Sequence, residues 1–130
     1  MFHVNDNFAQ AYTVNEFVYN KFIELFNDRN PLHTSEEFSQ KKKFKGRVMH
    51  GNILNGFLSH FIGECLPVKH VIIHSQQIQY KNPVYLNDEL TLNVTVSDFF
   101  ESVNVVEFKF IFKNKSGTLV ARGKILIGII

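Results

Sequence analysis

An acid and an imidazole five residues apart, Asp28 and His33, flank a proline in the stretch FNDRNPLHTSEEF, Phe26 to Phe38. Proline has no backbone N–H and disfavours the helical region for the residue before it. A helix running up to Asp28 therefore ends by Arg29 or Asn30, and the chain turns between the two side chains. A turn that folds back would bring carboxylate and imidazole into one small volume, where together they can hold a water and take a proton from it. A second candidate lies downstream at His50 and Gly51, where a long apolar stretch begins. The first N–H groups of a helix have no partner within it and carry partial positive charge, so they can bind an oxygen on which negative charge gathers. Glycine is a poor helix former, and its presence at that position is explained better by leaving the amide open to a ligand. His50 is more simply a hydrogen-bond donor to nearby backbone, shaping the helix start, than a base.

These residues need elements to carry them. The segment TVNEFVYNKFIELFND reads as a helix: Thr13 and Glu16 form a capping box, Val14, Val18, Phe22 and Leu25 recur at helical spacing, and Asp28 falls at the C-terminal end. HTSEEFSQ offers Thr34 with Glu37 as a second box, which puts His33 just before a short helix. HGNILNGFLSHFIGECLP is apolar nearly all round from Ile53 to Leu66, with Gly56, Ser59 and Gly63 as small residues, and such a helix must be wrapped rather than packed on one side. After Pro67 the pattern changes to four strands. Leu90, Leu92, Val94 and Val96 alternate, as do Val106, Phe108, Phe110 and Phe112, with turns at Asn87 and Gly117. The expected fold class is α+β, helices followed by an antiparallel meander whose sheet curls around one apolar helix.

Composition narrows the function classes. A chain of 130 residues with 45 % hydrophobic and 20 % charged residues suits one globular domain, residues 1–130. Fourteen phenylalanines and no tryptophan imply a bulky core with scope for an apolar cavity. Cys65 is the sole cysteine, in an apolar run, and is expected to be a buried inert thiol; it leaves no disulfide and no cysteine metal site. His60, His70 and His74 lack a metal-binding spacing with a third ligand, so no metal is expected. A net charge of +2 does not argue for nucleic acid, although five of the fourteen basic residues crowd into KKKFKGR, Lys41 to Arg47. The N-terminus lacks a basic region followed by an apolar one, and no stretch has eighteen consecutive apolar residues; the expectation is a cytoplasmic protein without membrane contact.

The combination NDRNPLH, then RVMHG, then an apolar helix, continued by YKNPVYLNDELTLNVTV, resembles the MaoC-like (R)-specific enoyl-CoA hydratases of the hot-dog fold, from about Asn27 to the C-terminus. The resemblance implies an antiparallel sheet wrapped around a central hydrophobic helix. It implies hydration of trans-2-enoyl thioesters to (3R)-3-hydroxyacyl thioesters, or the reverse, on CoA or an acyl carrier protein and without a cofactor. Asp28 and His33 then match the catalytic pair that holds the water, Gly51 the glycine whose N–H binds the thioester oxygen, and Asn30, His50, Asn52 and Ser59 substrate contacts. A homodimer, or a higher oligomer, is implied as well, with two chains pairing edge to edge; the Phe-rich C-terminal strands are expected at that interface. Asn52 stands where the family has an apolar residue, and Asn87 where it has a turn glycine, which asparagine can replace.

Alternatives remain at this level. A hot-dog thioesterase uses the same oxyanion site with a carboxylate on the central helix, where this chain has only Glu64 near the far end. A silent acyl-thioester-binding module would have Asp28 and His33 pointing apart. Ser59 is either a polar contact or a small residue admitting the sheet. The run Lys41 to Arg47 is either a solvated loop or a docking loop for CoA phosphates or an acidic carrier surface.

Overall fold

The computed structural model describes residues 1–130. Strand β1 (Asn7–Thr13) precedes four short helices, α1 (Glu16–Phe26), α2 (Pro31–Thr34), α3 (Glu36–Lys41) and α4 (Asn52–His60). Helix α4 continues into a π-helical turn, Phe61–Cys65, and the chain ends in β2 (Val71–Tyr80), β3 (Glu89–Phe100), β4 (Val105–Asn114) and β5 (Leu119–Ile129). The five antiparallel strands form one sheet in the order β1-β3-β4-β5-β2. It curls over α4, as the sequence implied.

Two features of the expected topology are corrected. The sheet has a fifth strand at the N-terminus, and only β3-β4-β5 is a meander, because β2 pairs with β5 rather than with β3. Strand β1 carries no clear alternation in sequence, because its half-buried positions are Phe8, Gln10 and Tyr12, and the glutamine hides the period of two. The connection from β2 to β3 crosses from one edge of the sheet to the other side, a long-range choice that no local pattern encodes.

The helix caps also differ by one or two positions from those expected. Asn15, not Thr13, caps α1 by accepting from Val18 N–H, and Ser35, not Thr34, caps α3 by accepting from Phe38 N–H. Asparagine and serine serve that role as well as threonine does. The helix stops at Phe26, because Asn27 turns left-handed at φ 55° and donates its N–H back to the Ile23 carbonyl, so Asp28 lies just beyond α1. His33 lies inside α2, not before a helix, because Asn30 caps Pro31 at the first helical position.

The alternating residues of β3 and β4 are buried as expected, from Leu90 to Val96 and from Val106 to Phe112, and meet Ile53, Leu54, Leu58, Phe61 and Ile62 of the central helix. The phenylalanines of β4 therefore fill this chain's own core and leave no Phe-rich strand for an interface. Helix α4 is not wrapped all round, as its apolar run implied, but covered on the sheet side, because its small and polar residues Asn52, Gly56, Ser59, His60 and, in the following turn, Gly63 gather on the other side and stay exposed. Leu25, expected on the inner face of α1, is 72 % exposed, and Tyr19 takes the buried place. Asn87 and Gly117 turn left-handed as expected. Cys65 is half-buried rather than buried, with its sulfur 3.7 Å from Gln10 Oε1. No helix is long and apolar enough to cross a membrane.

Candidate active site

Asp28, His33, His50 and Gly51 line one cleft of about 470 Å³, walled by Met49, Ile53, Tyr80 and Pro83 among others. One donor atom from each of Asp28, His33 and His50 falls within 4.8 Å of the other two. A single water can therefore reach both the Asp28 carboxylate and an imidazole nitrogen at hydrogen-bond distance. The chain achieves this with loops rather than regular structure. Asp28 sits at the surface on the turn after Asn27, and α2 swings His33 back over it.

The two histidines are set by backbone carbonyls. His33 Nδ1–H donates to the Val48 carbonyl at 2.7 Å, which leaves Nε2 for proton exchange. His50 Nε2–H donates to the Asp28 carbonyl at 2.9 Å. Burial pushes the His50 pKa below its ordinary value, opposed by the hydrogen bond to the Asp28 carbonyl and helped by the nearby His33, which favours the neutral ring. It shapes the backbone, as the sequence indicated. Tyr19 adds a third support by donating its hydroxyl to the His33 carbonyl at 2.6 Å. Nothing in the sequence marks Val48 for this role, and Tyr19 is marked only as an aromatic residue one position off the apolar stripe of α1.

Gly51 caps α4 with ordinary helical angles, φ −58° and ψ −33°, so conformational freedom does not explain the glycine. Crowding does: a Cβ there would lie 2.8 Å from Tyr80 Cε1. Its N–H meets no acceptor in the protein and points from a helix start beside the cleft. The Tyr80 ring is in turn held by Asn55, whose Nδ2 donates to the Tyr80 hydroxyl at 3.1 Å and to Asn52 Oδ1 at 2.7 Å. Burial raises the Tyr80 pKa, opposed by that Asn55 bond.

Beside the cleft runs an apolar groove of about 670 Å³ between α1 and α4, lined by Phe17, Val18, Phe22, Leu25, Phe26 and Phe57 with the open surface of Gly56. Asp28, Asn52 and Ile53 line both spaces, so cleft and groove meet at the catalytic candidate. Two of the residues expected at the site are not brought there. Asn30 lies outside both spaces, its Oδ1 accepting from Leu32 N–H at 3.0 Å, and Ser59 is exposed on the open side of α4. Glu64, at the far end of the central helix, is exposed and paired with Lys69 at 3.0 Å, which lowers its pKa. The basic run divides: Lys41 pairs with Glu37, Arg47 lies 4.8 Å over the Tyr19 ring, Phe44 lines the cleft, and Lys43 turns left-handed at φ 70°.

A five-stranded antiparallel sheet curled over one helix defines a hot-dog protein, and here an acid and an imidazole meet beside that helix's start. The model of the MaoC like domain matches residues 5–111, and the chain belongs to that family. The match reaches back through α1 and β1, well before Asn27, where the motif resemblance began. Among curated relatives, an (R)-specific enoyl-CoA hydratase of Rhodospirillum rubrum is 32 % identical over 117 residues, 90 % of this chain and 76 % of that protein. A second protein of the same name from Aeromonas caviae is 29 % identical over 106 residues, 82 % of this chain and 79 % of that one. Among solved structures, the (R)-hydratase from A. caviae involved in PHA biosynthesis superposes with a TM-score of 0.90 at 25 % identity, covering 99 % of this chain and 98 % of that one.

Proposed function

We propose that this chain is an (R)-specific hydratase that interconverts trans-2-enoyl and (3R)-3-hydroxyacyl thioesters. The observation that carries the reading is the convergence of Asp28, His33 and the unpartnered Gly51 N–H in one cleft. The thioester carbonyl lies against the Gly51 amide, where the helix start stabilises the enolate-like charge. The water held by the pair adds to the β carbon, Asp28 taking one of its protons, and His33 delivers one proton to the α carbon. Proton exchange between the two side chains then restores the starting state. Water and the thioester balance the reaction, so no cofactor enters it. The acyl tail runs from Asp28 into the Phe-lined groove, and the carrier arm, of CoA or an acyl carrier protein, leaves through the cleft mouth.

A homodimer completes the site in this reading. Edge strand β2 leaves its outer side unpaired and exposes Ile72 and Ile73, and the open side of α4 carries only small and polar residues. An apolar bare edge is a template for a second strand. Thioester hydrolysis is disfavoured because Glu64 lies outside both spaces and is bound to Lys69.

The test is turnover of a short trans-2-enoyl-CoA by wild type, Asp28→Asn, His33→Gln and the double variant. General acid–base assistance is worth about 10²–10⁴-fold, and each single variant should lose that much. The double variant should be little worse, because groups acting on one water give non-additive losses. Hydration by Asp28→Asn at the wild-type rate, or an (S) product, would overturn the reading.

A further inference from the structure

The two groups that must share a water stand on weak supports. Asp28 lies at the surface after a left-handed residue, and α2 is only four residues long. A helix of about one turn does not hold its own shape. His33 and its neighbour Leu32 are tied to the rest of the protein four times: Tyr19 Oη donates to the His33 carbonyl at 2.6 Å, His33 Nδ1–H donates to the Val48 carbonyl at 2.7 Å, Val48 N–H donates to the Leu32 carbonyl at 3.0 Å, and the Ser39 hydroxyl donates to that same carbonyl at 2.8 Å. The Asp28 main chain has one tie, the 2.9 Å bond from His50 Nε2–H to its carbonyl.

The same His50 ring also touches the other catalytic group. Its centroid is 4.1 Å from that of His33 with the planes 32° apart, and Phe22 at 4.6 Å and Tyr19 at 5.8 Å close on it from α1. His50 is 3 % exposed, and its Nδ1 is buried with no hydrogen-bond partner. An unpaired buried acceptor is unfavourable, so a ring kept only for packing would be better as phenylalanine. What phenylalanine lacks is the Nε2–H.

We propose that His50 is a positioning residue for the hydration, tying the Asp28 main chain to the start of α4 through Nε2–H while its ring face supports His33, so that one buried side chain sets the distance between the two groups that share the water. It touches no reacting atom and acts through Asp28 and His33. Burial lowers its pKa, which favours the neutral ring in this position. This inference rests on the hydratase reading above.

Hydration of a short enoyl-CoA is measured for wild type, His50→Phe, His50→Gln, Asp28→Asn and the His50→Phe/Asp28→Asn pair, with folding checked by thermal unfolding. A misplacement of about 1 Å costs about 10²-fold, and His50→Phe should lose that much in kcat with KM little changed. His50→Gln, whose amide N–H reaches close to where Nε2–H lies, should recover most of the loss. Asp28→Asn should then cost clearly less in the His50→Phe background than in wild type, because both changes remove work of the same carboxylate. Should His50→Phe fail to fold, His50→Asn, too short to reach the Asp28 carbonyl, replaces it in the cycle. Losses that multiply independently, no recovery in His50→Gln, or wild-type kcat in His50→Phe would each overturn the proposal while leaving the hydratase reading intact. A wild-type protein without hydratase activity would overturn both.

Discussion

Gly51→Ala puts the smallest possible group into the tightest place in the site. A Cβ there would sit 2.8 Å from Tyr80 Cε1 and 3.0 Å from Cζ, where ordinary contact begins at 3.4 Å. Either the ring or the start of α4 must give by about 0.6 Å. Tyr80 is half-exposed, yet its hydroxyl is held by Asn55, which also binds Asn52 and Gln76, so retreat of the ring disturbs three side chains. The backbone amide is still present in the variant, and the loss comes from its displacement. Misplacement of about 1 Å costs about 10²-fold, so a shift of this size should lower kcat about 10- to 100-fold. Overpacking typically costs about 1–3 kcal/mol, and the half-exposed ring puts this case at the low end, a lower Tm without loss of folding. The assay is steady-state hydration of a short enoyl-CoA beside thermal unfolding, for Gly51→Ala alone and combined with Tyr80→Val. The combined variant should regain Tm and part of kcat, because it removes the ring that the methyl meets. Wild-type kcat in Gly51→Ala, or a loss that Tyr80→Val leaves unchanged, would refute the account of why glycine stands there.

Three further outcomes follow from the same geometry. A Cβ at Gly56 meets nothing within 4 Å, so Gly56→Leu should fold and should fill the groove; each methylene kept out loses about 0.8 kcal/mol, roughly fourfold in kcat/KM, and octenoyl-CoA should suffer far more than crotonyl-CoA. Equal losses for the two substrates would place the acyl tail elsewhere. Light scattering should show a dimer for wild type, burying more than about 1,000 Å² in total, and a monomer for Ile73→Lys, which puts a charge on the exposed edge strand; a wild-type monomer at micromolar concentration would sink that assembly. The folded His50 pKa lies below 6.5, so the unfolded chain takes up a proton first as pH falls; this contribution to stability is whole above pH 6.5, declines below it, and is gone once pH falls beneath the folded pKa. Thermal unfolding from pH 8 to pH 5 should therefore fall less steeply in His50→Gln than in wild type, and parallel curves would show that His50 does not titrate in this way.

Much of this protein was legible locally. A chain turn between Asp28 and His33 at Pro31, the helix start at Gly51, the alternation in β3 and β4 and the turns at Asn87 and Gly117 all rest on short-range rules: the ring of proline, the period of a strand, the tolerance of asparagine and glycine for left-handed backbone. Cap positions slipped by one or two residues because Thr13, Asn15, Thr34 and Ser35 are all competent caps, and neighbouring contacts chose among them. Tertiary structure alone decided what faces what. It paired β2 with β5, left one side of α4 open, set Tyr80 against Gly51, joined His50 to Asp28 and turned Asn30 and Ser59 away from the cleft. The spacing of residues along a chain fixes the face each occupies on its own element, whereas contacts between elements far apart in sequence depend on strand order and on how the core fills, and those belong to the whole fold.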